Sequence, residues 1–135
     1  MSEPLVSGFD HIHVHAPPEG RENARWFYGA LLGLTEIAAN EAILSDSSPL
    51  CFELADGRQL HVTFGPSPGS SPLPGHLAFR VESAAAVRDR LRANGFDAHT
   101  DAGADPHDVR CFCRDPFGNR LEFVERAAAR VCGAA

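Results

Sequence analysis

Six side chains at strand-like spacing set the chemistry this sequence offers: His11, His13 and His15 in one short segment, then His61, His76 and Glu122. Within Phe9 to His15 (FDHIHVH) the imidazoles alternate with Ile12 and Val14, the period-two pattern of a β-strand. Gly75 to Val81 (GHLAFRV) repeats it, with Leu77, Phe79 and Val81 on one face and His76, Ala78 and Arg80 on the other. In Gln59 to Phe64 and Arg120 to Glu125, alternation places His61 with Thr63, and Glu122 with Val124, opposite the apolar residues. The apolar stripe must face the helices, so the polar stripe lines the concave side of a sheet. Imidazole and carboxylate together suit a divalent ion such as zinc, iron, nickel, cobalt or manganese. We therefore expect an ion held by His11, His76 and Glu122, joined by His61. Any one of these histidines taken alone is better read as a surface or hydrogen-bonded residue. Their shared phase on four strands is what favours metal.

The elements that must position these residues come in two matching sets. After the first strand, Arg21 to Leu32 carries Ala24, Phe27, Tyr28, Leu31 and Leu32 at helical spacing, and Gly33 stands where a C-terminal cap belongs. After the strand at 75–81, Ser83 is an N-cap, Ala84, Val87 and Leu91 form the apolar stripe, and Gly95 ends the helix. Each helix is followed by a hairpin: Leu50 to Leu54 and Gln59 to Phe64 around Asp56 and Gly57, then Val109 to Cys113 and Arg120 to Glu125 around Asp115 to Asn119. From Gly33 to His61 is 28 positions and from Gly95 to Glu122 is 27, so His61 and Glu122 are equivalent. A further strand is expected in each half, at Glu36 to Ala39 or Ala42 to Leu44 in the first and at Phe96 to Thr100 in the second. The reading is an α+β fold of tandem β-α-β-β-β modules, 8–64 and 75–126, joined by a proline- and glycine-rich linker at 65–74. Side by side they would make a curved mixed sheet of about eight strands with helices outside.

Composition narrows the functions. The 135 residues are the size of one domain, and 44% hydrophobic with 22% charged residues is ordinary for a globular protein. A net charge of −6 without a basic cluster argues against nucleic acid or an anionic membrane as partner. Met1 to Gly8 has no basic stretch leading into an apolar run, and nowhere do about 18 apolar residues run together, so a cytoplasmic location is expected. Cys51, Cys111, Cys113 and Cys132 lack zinc-type or disulfide-scaffold spacing and are read as reduced, with Cys111 and Cys113 sharing a face that reads as core or pocket wall. Trp26, Phe27 and Tyr28 read as helix-to-sheet packing. The acidic stretch from Asp101 to Asp108 has the wrong spacing for a calcium loop and reads as a flap; His99 and His107 are assigned no role.

These segments resemble the vicinal oxygen chelate superfamily of glyoxalases, bleomycin resistance proteins and extradiol dioxygenases. DHIHV, RWFYGALLGL, QLHV, GHLAFRV and DPFGNRLEFVE carry the resemblance across residues 8 to 126. It implies that His11, His76 and Glu122 are the usual ligands and that His61 occupies the place of the fourth. Glyoxalase I-like lyases have glutamate there, and His61 departs from that pattern. The resemblance further implies an open-sided ion that chelates two adjacent oxygens of a small substrate, in a lyase, isomerase or dioxygenase. It also implies a homodimer, in some members with halves exchanged across the linker. Glu122 is a candidate for a second role as proton acceptor. His13, one strand step from His11, is a candidate for orienting substrate or acting as base near neutral pH. Arg80 is better read as solvated than as an anion receptor. The competing function is a non-catalytic protein of the same fold that sequesters a drug or metabolite. Such binders generally lack the ligands, and their retention in this chain favours an enzyme.

Overall fold

In each half the strand ahead of the helix has no hairpin partner, and in the computed structural model it pairs in parallel with the last strand of its own half. Residues 4–38, 48–66, 75–101 and 108–126 are described. The chain divides into two units, Met1–Pro68 and Gly69–Ala135.

In the first unit, β1 (His11–Ala16) leads through a 3-10 turn, Pro18–Gly20, into α1 (Arg21–Ala24), which continues as a π-helix, Arg25–Leu31. Then come β2 (Thr35–Ile37), β3 (Leu50–Glu53) and β4 (Gln59–Phe64), hydrogen-bonded in the order β1-β4-β3-β2. The second unit repeats the plan with β5 (Leu77–Arg80), α2 (Ala84–Ala93), β6 (His99–Asp101), β7 (Asp108–Arg114) and β8 (Arg120–Arg126), in the order β5-β8-β7-β6. Both sheets are mixed: the central pair is parallel and the other pairs are antiparallel. This is the α+β, twice-repeated β-α-β-β-β architecture that the pattern predicts.

The helices differ from expectation in one respect. The spacing predicts one α-helix over Arg21 to Leu32, yet only its first turn is α-helical, and Leu32 donates to the carbonyl of Phe27, five residues back. The wider turn lets the adjacent Phe27 and Tyr28 both point inward, edge to face at 5.0 Å between ring centroids, beneath β3. Trp26 does not join them and is 40% exposed. Gly33, at φ 81°, closes the helix as expected. Helix α2 follows the prediction closely. The Ser83 hydroxyl accepts from the Ala86 N–H, and Gly95, at φ 88°, ends it while Phe96 donates back to the Leu91 carbonyl. That bond occupies Phe96, so β6 starts only at His99. In the first unit the middle strand starts at Thr35; its alternative at Ala42 to Leu44 lies outside the described residues, as do residues 102–107 of the acidic stretch.

Alternation decides which faces are buried. Val14 and Ala16 of β1, Leu60 and Val62 of β4, and Leu121 and Phe123 of β8 are buried, while Ile12, near the free end of β1, is exposed. Cys111 and Cys113 are buried together on β7, the packing role expected for them, and Cys51 is buried on β3. Cys111 and Cys113 are free thiols, and burial holds both above the ordinary thiol range, Cys113 at about 11. Cys132 lies outside the described residues. No helix among the described residues is long and apolar enough to cross a membrane.

Two stability measurements check this account. Phe27→Ala, which empties a fully buried ring site, should cost about 3–5 kcal/mol in denaturant unfolding. Ser83→Ala, which removes a helix cap, should cost about 1 kcal/mol.

Candidate functional site

Parallel pairing fixes the positions of the predicted donors within each unit. On β1 and β4, His13 lies opposite His61, so His11 is the diagonal neighbour of His61, two residues earlier along the strand. On β5 and β8, Ala78 lies opposite Glu122, and His76, two residues before Ala78, stands in the same diagonal relation to Glu122. The backbone register thus makes His11 with His61 the counterpart of His76 with Glu122. Each pair is in direct contact. The rings of His11 and His61 stack at 4.3 Å between centroids and 10° between planes. The Nε2 of His76 is 2.8 Å from Oε2 of Glu122.

In the first unit each donor is also held by a neighbour at one atom. Asp10 Oδ2 lies 2.8 Å from His11 Nδ1, which leaves Nε2 of that ring open. Gln59 Oε1 accepts from His61 Nε2 at 2.9 Å, so the lone pair of His61 resides on Nδ1. A carboxylate or amide on the far nitrogen is the arrangement that orients metal-binding imidazoles. Burial pushes the His61 imidazole below the usual histidine range; repulsion from His11 and His13 adds to this, and Asp10 opposes it. Metal ligation needs the neutral ring, which is the form this environment favours. The spacing of His76 and Glu122 also suits an ion. Two donors each about 2.1 Å from one ion stand about 3.0–3.4 Å apart at neighbouring positions, so the observed 2.8 Å would open by a few tenths of an ångström.

Within either unit, however, no three histidine, cysteine, aspartate or glutamate side chains gather to hold an ion among the described residues. Each unit presents a pair.

His13 is exposed on the same face of β1 as His11. Its Nδ1 lies 3.4 Å from the Thr63 hydroxyl, which itself donates to the Val14 carbonyl, so Nδ1 is the donor and Nε2 keeps the lone pair of a base. His15 is half-buried at the inner end of the row. Arg80 is exposed, and His99 stacks on Phe112 at 5.7 Å.

Arg110, which the side-chain pattern alone does not single out, belongs with Glu122. Its Nη1 donates to Glu122 Oε1 at 2.6 Å, and its Nη2 lies 3.8 Å from the buried Asp108 carboxylate. Glu122 is only 4% exposed, and a carboxylate so far from water needs such partners. A signal for Arg110 does exist in the sequence. Alternation through Val109 to Cys113 sends Arg110 away from the two cysteines, but only the hairpin register, with Arg114 opposite Arg120, brings it diagonally to Glu122.

The model of the Glyoxalase/Bleomycin resistance protein/Dioxygenase superfamily matches residues 11–123. The chain belongs to this superfamily. Among solved structures, a Bacillus anthracis protein described as glyoxalase family is 30% identical, with a TM-score of 0.79, over 93% of this chain and 99% of that one. A variant of the fosfomycin resistance protein FosX from Listeria monocytogenes, solved with Mn(II) and 1S,2S-dihydroxypropylphosphonic acid, is 19% identical, with a TM-score of 0.71, over 93% of both chains. An antibiotic-binding protein from a Streptomyces species, TnmS3, is 20% identical, with a TM-score of 0.70, over 92% of this chain and 99% of that one. The last two are likenesses of fold. No curated protein matches the chain. The same fold thus carries a resistance protein solved with Mn(II) and an antibiotic binder, and fold alone does not divide them.

The stacked pair yields a pH prediction. A histidine whose native pKa is lowered refuses a proton that the unfolded chain accepts. His61 therefore contributes stability above about pH 6.5 that is lost as pH falls towards its lowered value. In chelator-treated protein, an NMR titration should place His61 below 6.5, and His11→Ala should move it part of the way back. A His61 resonance titrating at or above 6.5 would contradict the partial burial of its ring.

Proposed function

We propose that this superfamily member is a metal-dependent enzyme of the vicinal oxygen chelate type. Its substrate would be a small oxygen-rich molecule, and its chemistry that of a lyase, isomerase or dioxygenase. The ion, zinc, iron, nickel, cobalt or manganese, would be ligated by His11, His61, His76 and Glu122. One observation carries the reading: the same diagonal strand relation sets two nitrogen donors in contact in the first unit, and a nitrogen and a carboxylate in contact in the second. Chance placement of surface histidines gives no reason for that symmetry. The Mn(II) in the FosX structure supports the choice of a divalent ion.

The ion would supply Lewis acidity to two adjacent substrate oxygens. The chain's own residues would do the rest. Asp10 and Gln59 orient the two stacked imidazoles, and Glu122 brings the negative charge that a divalent cation requires. His13 and Glu122 are the candidate proton acceptors, and His13 offers a ring nitrogen that its bond to Thr63 leaves free. The protein would work as a cytoplasmic homodimer.

The alternative is a sequestering protein, by likeness to the antibiotic-binding TnmS3. Elemental analysis of protein purified without chelator separates the two. The enzyme reading expects about one divalent ion per chain, with loss of that ion in Glu122→Ala and His76→Ala. Equal trace metal in parent and variants would remove it. A screen of 2-oxoaldehyde thiol adducts, catechols and fosfomycin-like epoxides then identifies the reaction. Turnover of none of them, with tight binding of an aromatic drug, would establish sequestration.

A further inference from the structure

Arg110 has a definite geometric relation to the proposed ligand set and no function in it so far. On β7 it faces Val124 across the ladder, so its side chain shares a face with Glu122 and reaches it diagonally. The contacts divide the carboxylate. Oε1 accepts from Arg110 Nη1 at 2.6 Å, a short charge-assisted bond, while Oε2 faces His76 Nε2 at 2.8 Å. Arg110 is itself half-buried and steadied by Asp108, whose carboxylate lies 3.8 Å from Nη2. A planar guanidinium anchored in this way constrains the torsion of the carboxylate it holds.

We propose that Arg110 is a positioning residue that restricts Glu122 to binding an ion through Oε2 alone. The inference rests on the proposed metal site and adds to it a reason for the number of open positions. Each oxygen that Glu122 gave to an ion would occupy a position that a substrate with two adjacent oxygens could otherwise use. A carboxylate released from Arg110 can turn and ligate through both oxygens, as unrestrained Asp and Glu side chains do on larger cations. One open position would then be lost, and the substrate could bind through only one oxygen. Arg110 would thus protect chelation of the substrate rather than retention of the ion.

The test uses the full-length protein loaded with Mn(II), and compares wild type with Arg110→Met and Arg110→Lys. Acetohydroxamate is the two-oxygen probe and azide the one-atom probe. The expected result is that Mn(II) binds all three proteins at the same stoichiometry. Acetohydroxamate affinity should fall about 10-fold or more in Arg110→Met, the scale of effects seen when a ligand's supporting contact is removed. Azide affinity should stay unchanged, and Arg110→Lys, which keeps a cationic donor, should recover most of the loss. Co(II)-substituted protein should show a changed visible spectrum in Arg110→Met, because the coordination itself differs. Equal acetohydroxamate binding by wild type and Arg110→Met overturns the role of Arg110 while leaving the metal site standing. An equal loss for both probes makes Arg110 merely structural and also overturns it. If wild type takes up no Mn(II), the metal reading fails first and the positioning role fails with it. Should Arg110→Met not fold, Arg110→Gln takes its place in the same comparison, with the same expected and overturning results.

Discussion

Parallel pairing between the first and last strands of each unit is the constraint on which the rest depends. A hairpin forms from neighbouring residues, but a parallel pair must wait for the helix and two intervening strands, so the β1–β4 and β5–β8 ladders fix the architecture of each half. They also fix the chemistry. With period-two alternation, a shift of one residue in either ladder would send His61 or Glu122 to the core face and break the pair of that unit. The buried apolar residues Leu60, Val62, Leu121 and Phe123 hold the registers in place. Packing on one face therefore determines which donors meet on the other.

The two pairs reach similar geometry by different means. In the first unit the imidazoles stack, and a partly buried environment favours the neutral ring of His61. In the second a buried carboxylate is shared between an imidazole and a guanidinium. Stacking tolerates exposure, since neutral rings lose little in water. A buried carboxylate does not, and this explains why Glu122 has an arginine beside it while His11 and His61 rely on small polar contacts to Asp10 and Gln59. The same β-α-β-β-β plan thus accommodates different donors at equivalent positions of the two units.

The helices show how tertiary packing can override local spacing. Helix α2 has a capping serine, a narrow apolar stripe and a terminal glycine that all agree, and it forms where its residues predict. In the first helix three aromatic residues run consecutively, and with successive side chains about 100° apart in an α-helix all three cannot enter one core. The chain widens into π turns, Phe27 and Tyr28 enter the core, and Trp26 is left partly exposed.

Alternation, helix caps and turn residues are local, and for that reason the sequence by itself determined the repeated β-α-β-β-β order, the shared face of Cys111 and Cys113, and the strand phase of His11 with His61 and of His76 with Glu122. The equivalence of His61 and Glu122 could be counted directly from the capping glycines. Pairing distances are not local. Only the tertiary structure decided that His11 stacks on His61, that His76 meets one oxygen of Glu122, and that Arg110 takes the other, because each contact depends on strand register across a loop or crossover whose length the side-chain pattern does not encode.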